Sequence, residues 1–177
     1  MGYDMAVSIR DARKSGEDRR WIERAYREYL DDIAAGGTGV FPALLVTGQA
    51  SEDLLGPWFH DERSMPFLIL RAGEPAGFAL VQRTSAVRDG PEAEHRMTEF
   101  FVSAPLRRLG LGREAAQLLF NRFEGRWLVT ESTAHADAVA FWRRVIGAYT
   151  RGRYRERLQG GEVQHRFDSA RRPAVQP

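Results

Sequence analysis

Seven consecutive residues near the middle of the chain, Arg107-Arg108-Leu109-Gly110-Leu111-Gly112-Arg113, combine positive charge with glycine. They separate a strand-like run at residues 99–103 from a helix-like run at residues 114–123. A turn that leads from a strand into a helix presents unpaired backbone N–H groups and the positive end of the helix dipole. Glycine lets a diphosphate approach the backbone, and arginine adds formal charge. The segment therefore predicts a binding site for a phosphorylated cofactor.

The spacing of the glycines narrows the choice of cofactor only in part. A Walker-type phosphate loop needs the string GxxxxGK(S/T), which does not occur in this chain. Gly110 and Gly112 begin a dinucleotide fingerprint, and Ala115 occupies the position of its third glycine, which the looser form of the fingerprint allows. Glu131 lies near the position of the acidic residue that binds the ribose. Glycine spacing alone leaves a nicotinamide or flavin site open.

The residues that flank the turn favour a different cofactor. Arg107, Gly110 and Gly112 match the signature (R/Q)-x-x-G-x-(G/A), and Val102 lies eight residues before the first of these glycines. Residues 127–131 form a strand-like run, and residues 135–142, HADAVAFW, compare with the helix motif N-x-x-A-x-x-F-(Y/W). In these features the chain resembles the GNAT superfamily of acyl-CoA N-acyltransferases, and within it a bacterial branch of predicted acetyltransferases.

This resemblance implies a fold and a cofactor. The fold would be α+β, with a GNAT-like central, mostly antiparallel β-sheet flanked by helices, in a single N-acetyltransferase domain at residues 1–168 before a flexible tail at residues 169–177. Acetyl-CoA would be the acyl donor. The central strand would splay from its neighbour beyond its valine, and the pantetheine arm would pair with backbone groups in the gap. The residues expected to contact the cofactor are Phe101, Val102, Ser103, Arg107, Arg108, Leu109, Gly110, Leu111, Gly112, Arg113, His135 and Phe141.

Glu99 is the candidate base for the transfer. It lies three residues before Val102, in a strand that is otherwise rich in apolar residues. Burial there would raise the pKa of the carboxyl group, which suits removal of a proton from the attacking amine. An ion pair with an arginine of a neighbouring strand is the structural alternative, and both interpretations stay open. Many members of the superfamily carry their glutamate three residues earlier, where this chain has Arg96.

The identity of the acid that protonates the leaving thiolate is open as well. The superfamily often has a tyrosine at the position of Trp142, and an indole cannot donate that proton at neutral pH. Tyr149 is the substitute by residue type, with Tyr154 as a second candidate, although packing in the core or at the surface is the simpler explanation of each ring. His135 replaces the asparagine of the helix motif and is expected to contact the cofactor or to cap the helix.

Composition is that of one globular domain and disfavours several classes of protein. The 177 residues are 43% hydrophobic and include no cysteine, so the chain has neither a disulfide framework nor a thiol nucleophile. We see no signal peptide and no apolar run that could span a membrane, which predicts a cytoplasmic protein. The net charge of +2 and the scattered arginines argue against nucleic acid as a partner. The four histidines lack metal-ligand spacing, which predicts no metal, and a homodimer stays open.

Hydrophobic periodicity assigns these residues to helices and strands. Helical spacing covers residues 17–34, the segment after the glycine turn up to residue 123, and residues 138–146, where Gly147 is expected to end the helix. A short helix is expected near residues 51–58. Strands are expected at residues 6–10, 66–70, 77–82, 95–103, 127–131 and 163–167, with a polar loop at residues 85–94 and the superfamily's short hairpin near residues 149–154.

Together these features predict an acetyl-CoA-dependent N-acetyltransferase. The acceptor pocket would involve residues 20–64 and 148–165, in which no specificity code is recognisable. A small-molecule amine is the first choice of acceptor, and a protein or peptide amine is the second. The alternative from another class is a non-catalytic acyl-CoA-binding or sensor domain, which Trp142 and Arg96 favour because each replaces a residue associated with catalysis.

Overall fold

Seven strands and four helices occur in the computed structural model, which describes residues 6–35, 55–84 and 93–169. The strands are β1 (Val7–Asp11), β2 (Ser64–Arg71), β3 (Glu74–Arg83), β4 (His95–Val102), β5 (Gly125–Ser132), β6 (Tyr154–Gln159) and β7 (Glu162–Ser169). The helices are α1 (Gly16–Ala35), α2 (Gly56–His60), α3 (Leu111–Arg122) and α4 (Ala136–Thr150).

The strands form one sheet in the order β1-β2-β3-β4-β5-β7-β6. Neighbours pair antiparallel except β4 and β5, which are parallel and are connected by a crossover that contains α3. Two-residue turns join β2 to β3 at Ala72-Gly73 and β6 to β7 at Gly160-Gly161. All four turn residues have positive φ, as type I′ hairpin turns require. The mostly antiparallel sheet flanked by helices is confirmed.

Helices cover both faces of the sheet. On one side, here called the α3/α4 face, both of these helices pack on strand residues that include Met97, Trp127, Val129 and Phe167. On the other side, here called the α1 face, α1 and α2 pack on Leu68, Phe78, Leu80 and Phe101. The predicted apolar stripe of the first helix is confirmed, because Ile22, Ala25 and Tyr26 are buried there.

Helix α4 is longer than its sequence indicated. Gly147 does not end α4, which continues to Thr150 and is closed by Arg151 in the left-handed conformation at φ 54°. The expected hairpin near residues 149–154 is therefore wrong, and Tyr149 lies within a helix. A glycine inside a helix costs only about 1 kcal/mol, which the buried neighbours Val145 and Ile146 outweigh.

β6 is a strand that the sequence did not predict. Half of its residues, YRERLQ, are charged, and they lack apolar alternation, because β6 is the exposed edge of the sheet. The expectations for residues 36–54, 85–92 and 170–177 lie outside the described residues. None of the described helices is long and apolar enough to cross a membrane.

Candidate active site

β4 separates from β5 partway along its length. The parallel pairing covers three residue pairs, from His95–Trp127 to Met97–Val129. Beyond Met97, β4 continues to Val102 while it pairs with β3 alone. A gap therefore opens between the ends of β4 and β5, and it begins earlier along the strand than the resemblance implied.

Alternate residues of β4 direct their backbone groups either to β3 or into this gap. The Ser103 N–H donates to the carbonyl of Ala76 on β3 at 3.0 Å, so Ser103 is turned away from the gap. Alternation directs the backbone of Phe101 to β3 as well. The backbone groups of Phe100 and Val102 face the gap. Phe100 was not among the residues predicted from the sequence.

The turn after β4 leads into α3 through two residues with positive φ, Arg108 at 62° and Gly110 at 84°. Gly110 is the N-cap of α3 and offers no side chain to the first helical turn. The N–H groups of Leu111, Gly112 and Arg113 are therefore left without a side-chain cap. Arg108 and Arg113 are exposed, and within the described residues neither makes an ion pair. The turn has the charge and the donors that an anion needs.

Arg107 has a different role from its two arginine neighbours. Its Nε donates to the Val102 carbonyl at 2.7 Å, and its guanidinium forms an ion pair with Asp32 of α1. The same guanidinium lies 5.4 Å from the centre of the Phe101 ring. Arg107 therefore ties the turn to β4 and to α1, and its charge is already shared with Asp32.

Gly112 allows α4 to approach α3 closely. A Cβ on Gly112 would lie 3.3 Å from two ring carbons of Phe141, which belongs to α4. Phe141 in turn stacks on Phe100 with ring centres 5.9 Å apart. These rings adjoin the gap beside β4. Gly112 is thus needed first for the packing of α4, and a larger side chain there would meet Phe141.

Glu99 reaches the α1 face because of a bulge in β4. Leu80 pairs with Glu99 and Val81 pairs with Met97, so the register of β3 skips Thr98. An extra residue reverses the alternation of side chains along the strand. Met97 therefore belongs to the α3/α4 face, whereas Glu99 lies with Phe101 on the α1 face.

The environment of Glu99 favours its protonated form. The Tyr29 hydroxyl of α1 donates a hydrogen bond to Glu99 Oε2. Burial raises the pKa of Glu99 to about 7, and the negative charge of Glu131 adds to this rise. The hydrogen bond from Tyr29 and the positive charge of Arg96 act in the opposite direction on this pKa. A carboxyl group with such a pKa can exchange a proton near neutral pH, as the sequence led us to expect.

Aromatic rings of α1 and the sheet surround the hydrogen bond between Tyr29 and Glu99. Tyr29 packs edge-on against Phe78 and Phe101, with ring centres 5.7 and 5.8 Å away. Burial raises the pKa of Tyr29 above its ordinary value, and the charge of Glu99 contributes. One helical turn earlier, the Tyr26 hydroxyl is buried and has no hydrogen-bond partner among the residues that the structure describes. The hydroxyl and carboxyl groups therefore lie in a largely apolar setting.

The sequence model of the acetyltransferase (GNAT) family matches residues 12–148, which are more than three quarters of the chain. The chain belongs to the GNAT family. Its members are acetyltransferases that take the acetyl group from acetyl-CoA, so acetyl-CoA is the acyl donor of this enzyme. The search of the curated proteins finds no match to the chain.

Solved GNAT structures share the fold at low sequence identity. A GNAT-family acetyltransferase from Streptococcus agalactiae is 14% identical, with a TM-score of 0.68 over 93% of this chain and 96% of that one. The ribosomal-protein-S18-alanine N-acetyltransferase of Escherichia coli is 14% identical, with a TM-score of 0.58 over 97% and 99%. The spermidine/spermine N-acetyltransferase of Vibrio cholerae is 10% identical, with a TM-score of 0.56 over 95% of both chains.

Two further residues predicted for the GNAT site lie in different places. His135 precedes α4, and its Nδ1 lies 3.0 Å from Glu131 Oε1 at the end of β5, beside the gap. Tyr149 is not brought to Glu99. Its hydroxyl donates to Asn121 Oδ1 at 2.9 Å, and its ring packs on Phe120 on the opposite face of the sheet. Tyr149 therefore lies on the other side of the sheet from Glu99, and its role as the acid stays a prediction.

Trp142 fills the core of this GNAT domain beside the gap. Its ring lies edge-on to Phe100 at 5.1 Å and to Phe141 at 4.9 Å, and it is 4% exposed. In the described part of the chain, no three His, Asp or Glu side chains gather as a metal ion would require.

Tyr29 was not predicted from the sequence as a site residue. It was one of several residues on the apolar stripe of the first helix, and its spacing is the same as that of its purely apolar neighbours. The only signal was the hydroxyl group on a stripe that faces a glutamate-bearing strand.

Proposed function

We propose that this acetyltransferase acetylates the amine of a small molecule and that Glu99 accepts the proton of that amine. The observation that carries the proposal is the buried carboxyl group of Glu99, which is hydrogen-bonded to Tyr29 next to the gap between β4 and β5. An amine attacks a thioester only in its neutral form. A base with a pKa near the working pH best combines the correct protonation state with proton transfer.

The proposed cofactor contacts divide between the turn and the gap. The uncapped N–H groups of α3 would hold the diphosphate, together with the exposed side chains of Arg108 and Arg113. The backbone of Phe100 and Val102 would pair with the pantetheine arm. The open helix N-terminus and the left-handed Gly110, which brings backbone rather than side chain to the ligand, support this fit. When bound, acetyl-CoA supplies the activated acetyl group.

Residues near Glu99 support a small acceptor. Because Tyr29 packs with Phe78 and Phe101 beside the carboxyl group, a slender chain that ends in an amine would fit against Glu99 more readily than a bulky acceptor. Tyr29 fixes the orientation of the carboxyl group through its hydrogen bond. The apolar rings also keep water from competing with the amine for this base.

The test is release of coenzyme A in the presence of acetyl-CoA and a panel of amines. The panel contains alkylamines, amino acids, a polyamine and short peptides with free N-termini, and products are identified by mass spectrometry. We expect turnover of at least one small amine above the rate of hydrolysis. Turnover of the peptides alone would contradict the small-molecule proposal, and hydrolysis alone would contradict transfer to an amine.

Affinity for acetyl-CoA tests the cofactor contacts separately. A charge-assisted contact contributes about 1.5–3 kcal/mol, so Arg108→Ala should weaken binding roughly 10- to 150-fold. Arg144→Ala is the matched control, because Arg144 is exposed on α4 and forms no ion pair within the described residues. Calorimetric titration of folded variants gives both values. Equal affinities for the two variants would mean that the attraction is diffuse rather than local.

A further inference from the structure

The gap between β4 and β5 has a carboxyl group on each of its two faces. Val129 of β5 packs on the α3/α4 face, so Glu131, two residues further along the strand, lies on that face as well. Glu99 lies two residues beyond Met97 but on the α1 face, because the bulge at Thr98 reverses the alternation. Met97 and Val129 form the last pair between the two strands. Glu99 and Glu131 therefore flank the gap at a similar distance from its start.

A hydrogen-bonded pair of side chains occupies the α3/α4 side of the gap. His135 Nδ1 lies 3.0 Å from Glu131 Oε1, and both side chains are partly buried. The carboxylate holds the ring in one orientation and stabilises its protonated form. Asp137, in the first turn of α4, adds negative charge that counters the unfavourable effect of the helix dipole on a cation. With Nδ1 held by Glu131, Nε2 is the ring nitrogen that can pass a proton to a group in the gap.

The proposed cofactor approaches from the same face. Helix α3, whose N-terminus would hold the diphosphate, packs on this face together with α4. Phe141 of α4 stacks on Phe100 of β4 beside the gap. An arm that leads from the diphosphate into the gap therefore brings the thioester sulfur to the side of His135, whereas the acceptor amine lies on the side of Glu99.

Two other candidates for the acid are less well placed or less suited. Helix α4 begins beside the gap and is 15 residues long. At 1.5 Å per residue, Tyr149 lies about 20 Å along this helix from His135. The indole of Trp142 adjoins the gap, but it does not give up its proton near neutral pH. His135 is therefore the best-placed proton donor of the three.

We propose that His135 is the acid that protonates the sulfur of coenzyme A as it leaves, and that Glu131 positions His135 and stabilises its charge. This inference rests on the proposed function, in which Glu99 takes the proton of the amine. The protein would thus accept one proton on the α1 face of the gap and donate another on the α3/α4 face.

The protons and electrons of this step balance. As the amine nitrogen bonds to the acetyl carbon, the bond from that carbon to sulfur breaks and its electron pair passes to sulfur. Nε2 of the His135 imidazolium gives its proton to the sulfur, which leaves a neutral imidazole and a free thiol. Imidazolium ions are stronger acids than thiols, so this transfer is favourable. Exchange with water then removes the proton from Glu99 and restores that of His135.

His135→Asn separates an acid from a residue that only contacts the cofactor. Asparagine is the residue of the superfamily's helix motif, and its amide can still donate to Glu131, but it has no equivalent of Nε2. We expect kcat to fall at least tenfold with little change in KM for acetyl-CoA, and the alkaline limb of the pH–rate profile to disappear. A variant with the wild-type kcat, or with a raised KM alone, would overturn the proposal.

Two further variants locate the effect. His95→Gln removes an imidazole from the start of β4, at the end of the strand pair away from the gap, and should keep the wild-type rate. Tyr149→Phe tests the acid that residue type suggests. Loss of the alkaline limb in Tyr149→Phe and not in His135→Asn would overturn the proposal in favour of Tyr149.

Glu131→Gln tests the role of the carboxylate. The amide oxygen can still accept from Nδ1, but the negative charge is lost. The alkaline limb should move to lower pH by about one unit. The acidic limb should move in the same direction, because the charge of Glu131 raises the pKa of Glu99. An alkaline limb that did not move would overturn the part of the proposal that assigns charge stabilisation to Glu131.

The thiolate of bound coenzyme A gives a measurement that needs no acceptor and no turnover. An imidazolium beside the sulfur favours the thiolate, so the ultraviolet absorbance of the thiolate should appear at lower pH in the wild type than in His135→Asn, by about one unit. The chain has no cysteine, so no protein thiol contributes, and the complex with S-methyl-coenzyme A is the blank. If no amine is acetylated, the proposed function fails, yet this difference would still support the assignment of His135. The same titration in both proteins would overturn it.

Discussion

Glu99 and Glu156 are both strand glutamates, but their surroundings differ in nearly every respect. Glu99 lies on a central strand, where the neutral hydroxyl of Tyr29 donates to it. Glu156 lies on the edge strand, where Arg143 donates to both of its oxygens at 2.7 Å and His165 Nε2 lies 3.1 Å away. Burial raises the pKa of Glu99 to about 7, whereas the hydrogen bonds from Arg143 lower the pKa of Glu156.

The difference shows that burial and the hydrogen-bond partner together decide the chemistry of a carboxyl group. At Glu99 the loss of hydration on burial is larger than the opposing effect of the neutral donor Tyr29, so Glu99 readily holds a proton. Glu156 is exposed and loses little hydration, and its hydrogen bonds from Arg143 favour the charged form, so Glu156 acts as a structural anion. His165 lies beside Glu156. Burial lowers the pKa of His165, and the negative charge of Glu156 opposes this effect.

Replacement of Glu99 should have the largest effect. Glu99→Gln keeps size and shape and still accepts the hydrogen bond from Tyr29, but it loses basicity. We expect the turnover rate to fall roughly 10²–10⁴-fold, with affinity for acetyl-CoA unchanged. The matched variant, Glu156→Gln, should retain the wild-type rate. If both variants were fully active, Glu99 would be a structural residue like Glu156, and the proposed difference in role between the two carboxyl groups would be wrong.

Stability should respond to the same substitutions with opposite signs. The native pKa of Glu99 is raised from its ordinary 4.5 to about 7, so the folded state binds the extra proton. The wild type therefore loses stability as pH rises through this window, by about 3 kcal/mol from this group. Glu99→Gln lacks that loss and should be the more stable protein at pH 8.

Urea unfolding at pH 5 and pH 8 measures this effect. Because the pKa of Glu156 is lowered, its contribution is present above the ordinary pKa and is lost as pH falls through the lowered value. Glu156→Gln should therefore be less stable than the wild type at pH 8. A stability difference for Glu99→Gln that is the same at both pH values would show that Glu99 does not titrate between them.

The structure of the segment around the glycine turn was largely predictable, because it depends on local sequence. The strand before the turn, the turn itself and the helix after it follow from residues 99–123 alone. The partner of Glu99 was not predictable, because Tyr29 is 70 residues away and meets Glu99 only after the bulge at Thr98 reverses the face of the strand. The edge strand β6 escaped prediction because its charged residues carry no apolar alternation.

Loss of the Tyr29 hydroxyl should have an intermediate effect. The hydrogen bond from Tyr29 lowers the pKa of Glu99, so Tyr29→Phe should raise that pKa further. The acidic limb of the pH–rate profile should move to higher pH by roughly one unit, with activity recovered in more alkaline buffer. Tyr26→Phe is the control, because none of the described residues forms a hydrogen bond with the Tyr26 hydroxyl. The same shift in both variants would mean that Tyr29 acts through packing and not through its hydrogen bond.

The smallest effect should come from Arg143. Its pair with Glu156 is exposed, and exposed ion pairs contribute little to stability because water and salt screen them. Arg143→Gln should therefore lower the free energy of unfolding only slightly and leave turnover unchanged, and the difference from wild type should shrink in high salt. Because the charge of Arg143 lowers the pKa of His165, the variant should also show a higher pKa for this imidazole in an NMR titration. An unchanged imidazole pKa would show that His165 is insulated from the Arg143–Glu156 pair, and burial alone would then keep it neutral.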